Sequence, residues 1–184
     1  RASLRRGARR GQGVTGSPAP LTILYLDINT EWRGVQRQLL WMGQGLRRHG
    51  GRPIFALRSG VPLAARAQAT GIEVIPIDPL IAGGGPWTVL RLRSVIRRER
   101  VSIVHAQSGH TMTLAALAAA GTTARIVFAR RVTTPLGKYP PTRWKYGRAE
   151  RLISVSRAGV EGLLRVGVDP ERGRGVRSGG PLGQ

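Results

Sequence analysis

The residues with most chemistry to offer sit in a few short stretches. In "HAQSGHT", two imidazoles (His105 and His110) flank the amide of Gln107 and the hydroxyl of Ser108. Imidazole moves protons near neutral pH, so this stretch is a candidate for acid–base work. His105 closes an apolar run and can equally be a satisfied structural histidine, whereas His110 opens the next helical pattern. In "TEWRGV", Arg33 and Gly34 stand at the start of another helical pattern. A glycine there lets backbone N–H groups approach a phosphate, or simply makes the turn. Trp32 can stack on a sugar or a base, or cover the top of a sheet. Arg130 and Arg131 are adjacent at a strand end, so their side chains alternate and at most one points into a given cleft.

Other chemistries are missing. The three histidines are dispersed and no carboxylate stands at ligand spacing, so no metal site is expected. No nucleophile elbow, Walker loop or close carboxylate pair is visible among the nine acids. The dinucleotide fingerprint fails, because the first strand is followed by the single Gly34 and the second ends in Arg58 rather than an acid.

The positioning elements follow from periodicity. Short, nearly continuous apolar runs recur at 21–26, 53–57, 73–77, 101–106, 125–129 and 151–155, as expected of strands buried on both faces. Between them lie helical patterns. Val35, Leu39, Met42 and Leu46 form a stripe stopped by "HGG". Pro62 opens a shorter helix ending near Gly71. Trp87 to Arg98 buries Val89, Leu92, Val95 and Ile96 and leaves Arg91, Arg93, Arg97 and Arg98 wet. Thr111 to Ala120 is a small-residue helix, and Arg157 to Val166 is a last one, with Ser156 as N-cap. This alternation predicts an α/β, doubly wound parallel sheet, a Rossmann-like single domain with right-handed crossovers. Ligands of such sheets bind beyond the carboxyl ends of the strands. The polar stretches named above fall there.

Composition bounds the rest. The length suits one domain with a real core, and 41% hydrophobic residues argue against wholesale disorder. No apolar run approaches the roughly 18 residues of a membrane span. The absence of cysteine excludes a disulfide framework and fits a reducing, cytoplasmic location. Thirty basic residues, all arginine except Lys138 and Lys145, give a net charge of +21. Such a field favours anionic partners, including a membrane face. The arginines are spread along the chain, however, so coding bias explains them as well. A nucleic-acid module is the alternative reading, but aromatics are only 5% and no recognition motif appears, so no specific nucleic acid is expected. Residues 1–20 read as a disordered basic arm without the apolar segment of a secretory signal. Residues 21–172 read as the folded body, and 173–184 as a glycine-rich tail or truncated linker.

In order and spacing, "ILYLDINTEWRGVQRQLLWMGQGLRRHGGRP", "SIVHAQSGHTMTLAALAA", "RIVFARRV", "RWKYGRAERLISVS" and "GVDPER" resemble the N-terminal domain of family 4 glycosyltransferases of the GT-B fold. That family's turn G-G-[AV]-E-[RK] reads here Arg33-Gly34-Val35-Gln36-Arg37, with one glycine and the acid changed. Its D-I-V-H-x-H reads Ser102 to Gln107, keeping His105. A histidine often found after its fifth strand is replaced near Arg131. Its A-D-x-x-I-x-V-S segment is closely matched by Ala149 to Ser156. The resemblance implies a retaining transferase taking sugar from a nucleotide-diphosphate sugar, without a further cofactor, to a glycan or lipid-linked acceptor. It implies that Arg33 and Gly34 face the donor phosphates. Trp32, Gln107, Ser108, Arg130, Arg131 and Lys145 would line the cleft on the acceptor side, with His110 and His105 as the catalytic candidates. The family's donor-binding half is missing, so the chain is expected to be the acceptor-side half, inactive alone, working in the cytoplasm or at the inner membrane face.

Overall fold

The structure is a computed structural model that describes residues 20–77, 85–130, 140–154, 161 and 173–175. Strands and helices alternate: β1 (Thr22–Asp27), α1 (Gly34–Arg48), β2 (Arg52–Leu57), α2 (Pro62–Ala69), β3 (Glu73–Pro76), α3 (Pro86–Arg98), β4 (Ile103–Ala106), α4 (Gly109–Ala118), β5 (Arg125–Arg130), α5 (Pro140–Gly147), β6 (Arg151–Ser154) and β7 (Gly173–Gly175). The sheet order is β3-β2-β1-β4-β5-β6-β7, and every pairing is parallel. The doubly wound α/β sheet expected from the run spacing is therefore present.

Strand alternation sends successive side chains to opposite faces and so builds two cores. Leu24 and Leu26 of β1, with Ile54 and Ala56 of β2, join Leu92, Val95 and Ile96 of α3, Met112 and Leu114 of α4, and Tyr146 of α5. Tyr25, Phe55 and Leu57 point the other way, onto Leu39 and Leu40 of α1 and Leu63 and Ala67 of α2. Helices thus cover both faces, which is why the strands read as continuous apolar runs.

Four local features differ from or add to the sequence reading. Arg93 is half-buried rather than wet: it donates to the Leu117 carbonyl at 2.7 Å and the Ala118 carbonyl at 3.3 Å, satisfying the last turn of α4. Helix α5 was not anticipated, since its Pro-Pro start hides a first turn that tolerates proline. Gly173–Gly175, at the start of the segment read as a tail, pair in parallel with β6. A ladder needs only backbone groups, so no side-chain pattern announces it. Finally, α3 ends on Arg100 with a positive φ of 47°, where α1 and α2 end on Gly50 and Gly71. Residues 1–19 of the basic arm, residues 78–84 and most of the predicted helix from Arg157 lie outside the described residues.

Candidate functional site

In the order β3-β2-β1-β4-β5-β6-β7, the chain leaves β1 toward one edge and returns to β4 on the other side of it. In sheets of this topology the connections on either side of such a switch point diverge, and ligands bind in the crevice beyond the carboxyl ends of those strands. The segments that flank it are 28–33 and 107–108, which hold most of the residues singled out from sequence.

After β1, the chain turns on a buried polar cluster. Asp27 is 1% exposed and lies on the α1 side of the sheet, in phase with Tyr25. Its Oδ2 accepts from Gln36 Nε2 at 2.8 Å, and its Oδ1 accepts from the Asn29 amide nitrogens of backbone (3.2 Å) and side chain (2.5 Å). Burial pushes the Asp27 carboxyl above its usual range, while the bonds from Gln36 and Asn29 pull the other way. Gln36, buried in the first turn of α1, accepts from the Arg33 N–H through its Oε1 at 3.2 Å. Sequence reasoning noted Gln36 only as a departure from the family pattern and did not connect it to Asp27.

Gly34 is the first residue of α1, and an added Cβ there would meet nothing within 4 Å. No positive φ is required of it either. The N-cap residue Arg33 supplies no side-chain hydrogen bond to the first turn, since a guanidinium has no acceptor. The opening N–H groups of α1 therefore face the crevice without a side-chain cap. Arg33 itself is exposed and pairs with Glu31. Trp32 packs on the α1–α2 core, and the Arg66 guanidinium stands 4.3 Å over its ring. It covers the sheet top, and one ring face is already taken.

After β4 the arrangement differs. His105 is 4% exposed, in register with Tyr25 and 5.4 Å from its ring, and Gln107 is buried too. Ser108 caps α4: its Oγ accepts from the Thr111 N–H at 3.2 Å, while Thr111 Oγ1 accepts from the N–H groups of Ser108 (2.8 Å) and Gln107 (3.0 Å). Its hydroxyl is thus engaged in holding the helix start. His110, one residue into α4, is exposed. Helix α5 brings Lys145 to the same place, its Nζ donating to the Gly109 carbonyl at 3.4 Å. Burial lowers the Lys145 pKa. Tyr146 beside it is buried against Phe128. The carboxyl edge thus carries Arg33, Gly34 and His110 exposed and Lys145 half-buried, with the side chains of His105 and Gln107 buried. Arg130 ends β5 opposite Ser154, and Arg131 lies outside the described residues.

Among the described residues no cluster of His, Asp and Glu could hold a metal ion. A cavity of about 700 Å³ lies at the opposite, amino edge, lined by Leu21, Arg97, Arg100, Ser102, Thr122 and Arg125. It lies where α3 and α4 end. Arginines belong beside the negative ends of helices, so their presence there requires no ligand.

Comparison with known proteins bears on the family and the fold. The model of the family described as Glycosyltransferase Family 4 matches residues 32–179. No curated protein matches. Among solved structures, a glycosyltransferase from Rickettsia africae superposes with a TM-score of 0.71 at 20% identity, over 88% of this chain and 44% of that one. HepE of Anabaena, solved in complex with UDP-glucose, gives 0.71 at 14% identity over 86% and 44%. The lipopolysaccharide outer core galactosyltransferase WaaB gives 0.64 at 11% identity over 84% and 44%. At these identities the likeness is one of fold. The chain spans about 44% of the length of these structures.

Proposed function

The chain belongs to glycosyltransferase family 4, and from that membership we propose that it is the acceptor-side half of a retaining transferase that uses a nucleotide-diphosphate sugar. The observation that carries this reading is Gly34. It opens α1 at the switch point, with an uncapped first turn and open space where a side chain would stand. Packing and backbone conformation give no reason for a glycine there, whereas a diphosphate approaching the N–H groups does. A helix start favours an anion by about 0.3–1 kcal/mol at the surface and more when water is excluded. Lys145 and Arg33 add positive charge, and a second half closing over the crevice would exclude that water. His110, exposed at the start of α4, is the group placed to touch the acceptor, with His105 beneath it.

UDP-glucose bound to HepE is a property of that protein, but it supports a nucleotide-diphosphate donor here. WaaB, a lipopolysaccharide galactosyltransferase, likewise supports a glycan or lipid-linked acceptor. Such an acceptor would be met at an anionic membrane face. The described helices α1 to α5 contain no Asp or Glu at all, and α3 exposes Trp87 and Leu90 beside Arg91 and Arg98. No described helix is long and apolar enough to cross a membrane.

The test is transfer from a panel of nucleotide sugars to extracted lipid and glycan acceptors, run with the chain alone and with a donor-binding half supplied. Transfer only when the second half is present is the expected result. Transfer by the 184-residue chain alone would refute the division of labour.

A further inference from the structure

Gln36 stands where the family's turn has an acid, and the structure gives that exchange a physical sense. A side-chain amide both donates and accepts, and here both ends are used inside the protein. Its Nε2 donates to Asp27 at 2.8 Å and its Oε1 accepts from the Arg33 N–H at 3.2 Å. The partners fix the orientation: a carboxylate needs a donor and a backbone N–H needs an acceptor. Gln36 is 3% exposed and Asp27 1%, so water does not compete for the contact between them. Asn29 holds the other oxygen of Asp27, which ties residues 27, 29, 33 and 36 into one network.

We propose that Gln36 is a positioning residue whose amide couples the buried Asp27 carboxylate to the Arg33 N–H, holding the Arg33–Gly34 turn in the form that leaves the start of α1 open to a ligand. The assignment of that ligand as a diphosphate rests on the function proposed above. A glutamate at this position would accept from Arg33 but set a second carboxylate against Asp27. The pair would then have to share a proton, raising its apparent pKa. The bridge would be intact below that raised value and lost as pH rises through it. Other charged or titratable groups at this edge are Glu31 and Arg33, paired with each other; Arg58, which follows Leu57 opposite Asp27; Arg66 of α2, over Trp32; His105 and His110 from β4 and α4; and Lys145 of α5.

The experiment uses the whole ¹⁵N-labelled chain and follows the Arg33 and Gly34 amides. In Gln36→Ala the Arg33 amide should exchange with solvent about tenfold faster, the loss of its hydrogen bond to the Gln36 side chain. Unchanged exchange overturns the proposal. Gln36→Met keeps the volume and serves the same readout if the alanine variant does not fold. In Gln36→Glu the Arg33 shift should titrate with an apparent pKa raised above that of an ordinary glutamate, a rise that requires the Asp27 carboxylate at hydrogen-bond distance from the new one. A titration at the ordinary glutamate value, or none, also overturns it. Inorganic pyrophosphate added to the wild type judges the other claim separately. A shift at Gly34 supports the diphosphate reading; no shift there overturns that reading, while exchange at Arg33 still decides the role of Gln36.

Discussion

Two glycines of one helix illustrate how a residue's role is decided by what surrounds it. At Gly43 an added Cβ would lie 2.7 Å from Phe55 Cζ and 3.0 Å from Ile72 Cδ1, so the bare backbone is what lets α1 lie close on the sheet. At Gly34 the same atom would meet nothing. Gly43→Ala should therefore destabilise by about 1–3 kcal/mol, the usual penalty of overpacking a filled core. Gly34→Ala should leave the fold within about 0.5 kcal/mol of wild type. Denaturant unfolding of both variants checks the contrast; equal losses would mean that the space at Gly34 is filled. Sequence alone showed both as glycines in a helical pattern. It could not separate them, because the difference lies in Phe55, on another element. The same limit hid the bond from Gln36 to Asp27 and the use of the Ser108 hydroxyl as a cap.

Helix ends carry the next level. Helices α1, α2 and α3 close with the same pair of backbone bonds: Gly50 to Arg47 and Gly51 to Leu46, Gly71 to Gln68 and Ile72 to Ala67, Arg100 to Arg97 and Val101 to Ile96. The motif puts its penultimate residue in the left-handed region. Gly50 and Gly71 take it freely, at φ of 77° and 71°, whereas Arg100 takes it with a side chain attached. Arg100→Gly should stabilise the chain by about 1 kcal/mol, the steric cost of that conformation. An unfolding midpoint that does not rise would show that the Arg100 side chain returns the difference. The two glycine stops were legible in the sequence and so were six apolar strands, because burial on both faces leaves unbroken runs. Helix α5 and strand β7 were not. The first lacks an apolar stripe, and the second, Gly-Arg-Gly, is specified by backbone pairing alone.

At the scale of the molecule, charge is distributed by element. Helices α1 to α5 contain no carboxylate, while arginines stand on α1, α2, α3 and α5. Glu73 and Glu99 both hold Arg52, and Glu150 holds Arg125, so several of the few acids are already engaged along the amino edge. The α3–α4–α5 layer adds exposed Trp87, Leu90, Leu117 and Trp144 to a basic surface. The expected outcome is binding to phosphatidylglycerol-containing vesicles that weakens steeply with salt, each arginine near the surface contributing about 1 kcal/mol. Trp87→Ser with Leu90→Ser should weaken it further at constant charge. Equal binding to purely zwitterionic vesicles, or no effect of the double substitution, would remove this face from the account.

The place of β1 between β2 and β4 has a kinetic consequence. Pairing with β2 closes a short loop through α1, but Ile23 meets Ile103 only after β2, α2, β3 and α3 have intervened. Loop-closure entropy makes the second pairing the slower one. The crevice that holds Gly34 on one bank and His110 on the other comes into being only with that pairing. A ligand bridging its banks would therefore recognise chains that have completed the longest-range strand pairing of the described residues, and would hold that late seam shut.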